Sequence, residues 1–453
     1  MMKKKLFVFF MALLPLVALA QKNYAHLLEK YMKSQEAVHE FSGAVLIAKK
    51  GKIIYKQAFG QANREWKISN TVDTRFPIAS LTKQFTAAAI LQLAEQGKLQ
   101  TEDKISKYFP GFPKGDSITI HMLLNHTSGI QNILQDPFFT EINVNTRIEA
   151  LNDTTLINIF RNKPFDFSPG TWWRYSNSGY FLLGYIIEKL SGLTYRNYVY
   201  KNILQKAGMK NSDLFRYDSI ILNRAYGYNR TPKGWTNSRI ININLSFSAG
   251  GLYSTVEDLF AWSEALNACK IINAASLAKM NRPNREDRGA GYGVFIDKFH
   301  NRNAIFHSGA LLGFSSFLIR YPVEEICIII LANRETNLDF LHKGLAGILF
   351  DKEVLPAYKR SAVKIDTTLL KKYVGEFQGP ELPFPLNLVE KNNRLYLRLH
   401  RDIELLPESP TKFFVNEPEV ELQVEFNLNS EKEVSKAYLI EGGVKMEAKR
   451  KLL

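Results

Sequence analysis

Ala79-Ser80-Leu81-Thr82-Lys83-Gln84-Phe85-Thr86 opens a run rich in Ala, Leu and Gln that continues to Gln96 and meets Gly97. The pattern predicts a helix from about Leu81 to Gln96, with Gly97 as its C-terminal cap. Ser80 falls where the helix begins and Lys83 follows three positions later, a spacing that stacks both side chains on one helical face. A serine hydroxyl is a poor nucleophile until a nearby amine, held neutral, can take its proton. A helix start also offers unpaired backbone N–H groups to an oxyanion. Serine caps helices and lysine decorates them for purely structural reasons, so the four letters carry chemistry only if their surroundings agree.

Working outward, Phe41–Ala48 and Lys52–Gly60 are β-rich runs joined by Lys49-Lys50-Gly51, which reads as a hairpin. A second helix is predicted from about Tyr180 to Leu190, stopped by Gly192. Ser254-Thr255-Val256-Glu257 has capping-box spacing ahead of Leu259-Phe260-Ala261-Trp262. Strand-like segments return at Gly291–Ile296, Ala304–Phe306, Phe314–Arg320 and Ile326–Leu331. Strands at both ends with helices between them predict an α/β (α+β) class: one mixed antiparallel sheet built from the two chain ends, flanked by helices and carrying a helical insertion.

The texture changes after Lys352. Residues 353–365 have a proline and charges without a period and read as a linker. From 366 to 453 short alternating runs recur at Tyr373–Phe377, Leu386–Glu390, Leu395–Leu399, Lys412–Val415, Val420–Phe426 and Ala437–Ile440, with turns at Lys391-Asn392-Asn393 and Gly442-Gly443. This predicts a C-terminal all-β, barrel-like accessory domain.

Two further clusters bear on Ser80 and Lys83. Trp173-Arg174-Tyr175-Ser176-Asn177-Ser178-Gly179-Tyr180 puts a Tyr and an Asn two apart on a loop before a helix. A phenol with its pKa lowered by a neighbouring ammonium could relay protons, and the Asn amide could bond a substrate carbonyl; a turn Asn beside a packing Tyr is the plain alternative. Phe306-His307-Ser308-Gly309-Ala310 puts His and Gly along a strand, where glycine would let a substrate backbone approach.

Ser80-x-x-Lys83, Tyr175-x-Asn177 and His307-x-Gly309, in that order, resemble the three motifs of the serine β-lactamase and penicillin-binding protein superfamily. The closer resemblance is to its class C-like branch of D-aminopeptidases, D,D-carboxypeptidases and esterases. Leu123-Leu124-Asn125-His126-Thr127-Ser128-Gly129 and Ala249-Gly250-Gly251-Leu252 fit that branch, over about residues 25–350. The C-terminal module is similar to β-barrel domains appended to some of its peptidases.

The resemblance implies roles. Ser80 would attack and become acylated; Lys83 and Tyr175 would share the base work and protonate the leaving group. Asn177 would hold Lys83 or the substrate, His307 and Gly309 would contact substrate, and the N–H groups of Ser80 and Ala310 would form the oxyanion hole. Water would release the acyl group without a metal or other cofactor. Where class C β-lactamases carry Lys-Thr-Gly, this chain has His307-Ser308-Gly309. A neutral or titrating imidazole then replaces a fixed ammonium, which fits peptidases and esterases better than β-lactam hydrolysis. Arg174 could supply the missing charge or form a structural ion pair.

The remaining composition narrows the setting. Of 453 residues, 45% are hydrophobic and 23% charged, an ordinary globular balance. The formal charge of +15 comes without an Arg/Lys-rich tract or nucleic-acid module, so no nucleic-acid partner is expected. MMKKKLFVFFMALLPLVALA at 1–20 reads as a signal peptide cleaved before Gln21, leaving residues 21–352 as the hydrolase domain and no later membrane span. The expected location is periplasmic or secreted. Cys269 and Cys327 could pair there, but Cys327 lies in an apolar run and reads better as a small buried hydrophobe. His126 is expected to fix its turn by hydrogen bonds; Trp172 and Trp173 could line a substrate wall or simply pack. His-Glu-x-x-His and Gly-x-Ser-x-Gly are absent, which disfavours a zinc peptidase and an α/β-hydrolase.

The expected function is an exported serine hydrolase acting through an acyl-enzyme on small D-amino-acid peptides, amides or esters, with a small-molecule or short-peptide substrate that could derive from the cell wall. A β-lactamase or penicillin-binding D,D-carboxypeptidase is the rival on the same machinery. A non-catalytic binding protein that keeps the fold is the rival from another class.

Overall fold

The computed structural model describes residues 24–135, 153–216, 218–239, 246–286, 288–417, 420–430 and 433–451. The expected signal peptide and its cleavage point lie outside them. Seven strands form the central sheet: β1 (Gly43–Lys49), β2 (Lys52–Phe59), β3 (Gly289–Ala290), β4 (Phe295–Phe299), β5 (Arg302–Leu311), β6 (Phe314–Tyr321) and β7 (Ile326–Ala332). Their order is β3-β4-β5-β6-β7-β1-β2. β1 and β7 pair antiparallel from Gly43↔Ala332 to Lys49↔Ile326, so the two ends of the domain meet inside one sheet as the sequence predicted. The hairpin turn is made by Lys50 and Gly51, both at positive φ (52° and 70°), the geometry that matches strand twist.

β1 and β7 are almost wholly buried because helices cover both faces. Side chains alternate: Ala44, Leu46, Ile329 and Leu331 join one apolar cluster, whereas Val45, Ile47, Ile328 and Ile330 join another. The first cluster includes α2 (Thr82–Glu95), α3 (Asn177–Ser191) and α4 (Val256–Asn267); the second includes α1 (Tyr24–His39) and α5 (Leu338–Leu349). α2 is buried from Thr82 to Leu93 all the way round, with Phe85 stacked on Trp262 of α4 at 4.3 Å between ring centroids. The cap of α4 lies one residue later than the sequence suggested: Thr255, not Ser254, is the N-cap, and its side chain accepts from Asp258 N.

The C-terminal module is a closed eight-stranded barrel: β8 (Gly375–Gln378), β9 (Leu386–Lys391), β10 (Arg394–Arg398), β11 (Asp402–Ser409), β12 (Lys412–Val415), β13 (Leu422–Leu428), β14 (Val434–Glu441) and β15 (Val444–Arg450), with β8 pairing β15. β11 and β15 were not anticipated. Pro407 sits beside a register shift in β11, and β15 (Val-Lys-Met-Glu-Ala-Lys-Arg) alternates apolar with charged residues and buries Val444, Met446 and Ala448.

The barrel docks on α1 and α5. Tyr31 OH donates to Gly442 O at 2.9 Å, and Lys343 Nζ of α5 pairs with Glu441 at 2.8 Å. Glu421 is buried against Gln35 and His39 of α1. Gly442 has φ +57°, and a Cβ there would lie 2.1 Å from Phe340 O, so the turn can come this close only as glycine. Among the described residues, no helix is long and apolar enough to cross a membrane.

Candidate active site

The segment before Ser80 is clamped from two sides. Ile78 N donates to Leu252 O at 2.9 Å, Leu252 N donates to Thr82 Oγ1 at 3.1 Å, and Ser316 Oγ of β6 donates to Ile78 O at 2.8 Å. Ala79 is held at φ +48°, a conformation costly for an L-residue, which turns the chain sharply into the 3-10 turn Ala79–Leu81 that leads α2. Ser80 therefore stands at the rim, and Lys83 lies one turn below it, fully buried.

Lys83 Nζ has three neighbours: Ala249 O at 2.6 Å, Asn177 Oδ1 at 2.7 Å and Ser80 Oγ at 3.1 Å. Burial pushes its pKa well below the usual lysine range. A neutral amine has two N–H donors and one lone pair. Ala249 O and Asn177 Oδ1 can only accept, so they take the two hydrogens and leave the lone pair toward Ser80 Oγ. Tyr175 OH donates to the same Oγ at 2.8 Å. Ser80 thus sits between a donor and a base.

Tyr175 departs from expectation. Burial raises its pKa above the ordinary phenol value, outweighing the hydrogen bond to Ser80, which lowers it. With Lys83 neutral there is no ammonium to pull the phenol down, so Tyr175 is a protonated donor.

The supports of this group come from Asn132, the Ala249 carbonyl and His126. Asn132 Oδ1 accepts from both Asn177 N (3.2 Å) and Asn177 Nδ2 (3.1 Å), which orients Asn177 Oδ1 toward Lys83. The Ala249 carbonyl and Asn132 are the functional contributors that the sequence reading missed. Ala249 lay in a flagged stretch, but a carbonyl contact leaves no mark on residue type. His126 adopts φ +63° and accepts Ser176 N–H on Nδ1 at 3.2 Å, while its ring lies 4.5 Å from that of Tyr175 and 5.3 Å from that of Tyr180. It fixes the loop bearing Tyr175, as anticipated for that turn.

The third motif differs from expectation. His307 is 2% exposed, its Nδ1–H donates to Ser308 O at 2.6 Å, and its Nε2 has no hydrogen-bond partner among the described residues. Burial lowers its pKa to about 3, so it is neutral at physiological pH. It is no electrostatic replacement for lysine. Gly309 is required sterically: a Cβ there would lie 2.4 Å from both Ile78 O and Ser316 Oγ. β5 is pressed against the nucleophile's own lead-in, which brings Ala310 beside Ser80. Both line a cavity of about 350 Å³ with Asn177, Phe181, Leu312 and Glu335; His307 and Gly309 are not among its lining residues.

Arg174 pairs with Asp166 at 3.1 Å and is structural. Trp173 packs edge-on against Phe295 and His126, and Trp172 is exposed with Arg285 over its ring. Cys269 and Cys327 are both free; Cys327 is buried in the core, and burial pushes its thiol up to about 11. Among the described residues, no group of three His, Cys, Asp or Glu side chains could hold a metal ion.

A serine clasped by a buried neutral lysine and a protonated tyrosine, under an antiparallel sheet with its nucleophile at the head of a buried helix, is the machinery of a serine hydrolase. The chain belongs to the beta-lactamase family, which matches residues 25–349. It is 32% identical over 441 residues to penicillin-binding protein 4* of Bacillus subtilis (strain 168), covering 91% of this chain and 95% of that protein. The octameric penicillin-binding protein homologue of Pyrococcus abyssi superposes with a TM-score of 0.66 at 25% identity, covering 93% of this chain and 99% of that one. A D-amino acid amidase of Ochrobactrum anthropi SV3, complexed with L-phenylalanine, shares the fold at 20% identity and a TM-score of 0.61, over 72% of this chain and 96% of its own.

Proposed function

We propose that this serine hydrolase works through an acyl-enzyme on the amide or ester bond of small D-amino-acid peptides, amides or esters, outside the cytoplasm. The observation that carries the mechanism is the Lys83 amine with both hydrogens committed and its lone pair turned to Ser80. Lys83 takes the Ser80 proton as Oγ attacks the carbonyl. The backbone N–H groups of Ser80 and Ala310 receive the oxyanion. As the tetrahedral adduct collapses, Tyr175 gives its proton to the leaving amine or alkoxide and is reprotonated from Lys83. Water then attacks the acyl-enzyme by the reverse relay, and Ser80 recovers its hydrogen.

The substrate class rests on charge. Glu335 is the charged side chain lining the Ser80 cavity among the described residues, and His307 is neutral. A carboxylate suits the ammonium of a free amino group and repels a substrate carboxylate placed there. That favours amino-acid derivatives over β-lactams. The decisive comparison is D-alanine p-nitroanilide against p-nitrophenyl butyrate, each with wild-type protein and Ser80→Ala. Ser80-dependent anilide cleavage supports the reading. Cleavage of the activated ester alone moves it to an esterase, and fluorophosphonate labelling that persists in Ser80→Ala overturns the nucleophile.

A further inference from the structure

A second cavity, of about 630 Å³, shares Leu311 and Leu312 with the Ser80 cavity. Its volume is in the range of small-molecule sites. Phe215, Tyr226 and Phe314 supply an apolar wall, and Arg224 and Arg239 supply the cations. The site is tied to the nucleophile's lead-in: Arg75 N donates to Asn223 O (2.9 Å) and Ala225 N donates to Arg75 O (3.0 Å), two residues before Pro77, which also lines this cavity.

The fold holds the Arg224 guanidinium and positions the backbone that carries Arg239. Arg224 lies over Phe215 and Tyr226, 5.7 and 4.9 Å from their ring centroids. Arg239 follows Ser238, whose N–H donates to Gly227 O at 3.0 Å, beside the β5–β6 turn at Gly313. Among the described residues, neither Arg224 nor Arg239 forms an ion pair, and Glu65 is the acidic residue that lines the cavity with them. The acidic side chain of the wall, Glu65, is already engaged by Tyr228 OH at 2.5 Å. An apolar cavity with one aromatic-stacked guanidinium at Arg224 and a second, exposed one at Arg239 is suited to an apolar group ending in a carboxylate.

We propose that this second cavity is a substrate subsite for an apolar group bearing a carboxylate, continuous over Leu311 and Leu312 with the cavity at Ser80. Resting on the hydrolase reading above, it makes the preferred substrate a short zwitterionic peptide. Its ammonium lies toward Glu335, its scissile carbonyl at Ser80, and its carboxylate reaches Arg224 and Arg239.

The test uses the full chain and two probes, 5-phenylpentanoate and its uncharged amide, with binding read by calorimetry. The acid should bind at least tenfold more tightly than the amide. Ser80→Ala should keep that preference, Arg224→Gln with Arg239→Gln should abolish it, and the acid should compete with p-nitrophenyl butyrate hydrolysis. Equal binding of acid and amide to wild type overturns the proposal even if the double variant fails to fold. Preference that survives the double substitution overturns it as well, and binding without competition overturns continuity with Ser80. A wild-type protein that hydrolyses no ester defeats the hydrolase reading instead, and the calorimetry then still decides the cavity.

Discussion

Asn177 Oδ1 lies 2.7 Å from Lys83 Nζ and is aimed there because Asn132 holds the other end of the same amide. The contact accepts one amine hydrogen without supplying a charge, so it orients Lys83 and leaves its depressed pKa intact. Asn177→Asp is nearly isosteric but places an anion beside the amine, favouring the ammonium form. The expected outcome is a rate loss of roughly 10²- to 10³-fold at pH 7, partly recovered at alkaline pH, because the acidic limb of the pH–rate profile moves up with the Lys83 pKa. A profile of unchanged shape would mean that another group is the base.

His307 makes the opposite prediction. Its pKa of about 3 places its titration below the working range, so the acidic limb is assigned to Lys83, whose pKa burial lowers. His307→Gln should reduce kcat/KM by less than about tenfold through disturbed packing around Tyr175 and Phe295, and should leave the midpoint of that limb unmoved. A shifted midpoint in the variant would show that the imidazole titrates during turnover.

The distance between sequence and structure is clearest at this motif. Ser80, Lys83, Tyr175 and Asn177 were legible because their chemistry resides in side-chain identity and spacing. His307 was legible as a position but not as an environment, since burial depends on Phe295, Tyr175 and Lys83 arriving from three other segments. The same limit hid the Ala249 carbonyl and Asn132. The sheet was readable from β1 and β7, whose apolar runs carry their burial in their composition. β11 and β15 were missed because proline and lysine mask strands whose pairing is fixed by barrel closure.

Acid stability follows from buried imidazoles. His126, His307 and His342 are each held well below the histidine norm, first by burial. For His342, Asp339 opposes that shift while Lys343 and His300 add to it, and its ring stacks on Phe317. For His307 and His342 the unfolded chain binds the proton from about pH 6.5 downward, whereas the folded chain refuses it until about pH 3. Stability therefore falls as pH falls through that window, by about 1.4 kcal/mol per pH unit for each histidine. Urea unfolding at pH 7, 5.5 and 4.5 should show this slope, and His342→Phe should remove one histidine's share of it.

Glu335 is exposed at the rim of the Ser80 cavity, so its effect should be confined to charged substrates. Glu335→Gln is expected to lower kcat/KM for D-alanine p-nitroanilide by roughly tenfold, mainly through KM, an effect of about 1.4 kcal/mol. Hydrolysis of p-nitrophenyl butyrate should change less than twofold. Equal losses on both substrates would point to a disturbed cavity, and no loss on either would remove the ammonium contact.

The barrel separates stability from catalysis. It leans on α1 and α5, while the described residues lining the Ser80 cavity all precede it. Glu421 is the buried hinge of that contact, taking hydrogen bonds from Gln35 and His39 with Arg360 at 3.6 Å. Removing the carboxylate leaves Gln35 and Arg360 without it in a buried interface, so Glu421→Ala should cost about 2–5 kcal/mol and lower the melting temperature by several degrees. The kcat/KM of the folded variant should stay within twofold of wild type on either substrate. A large kinetic loss in protein that remains folded would instead connect the barrel to the chemistry, through α1, β1 or α5, and would restore a functional role that its docking position argues against.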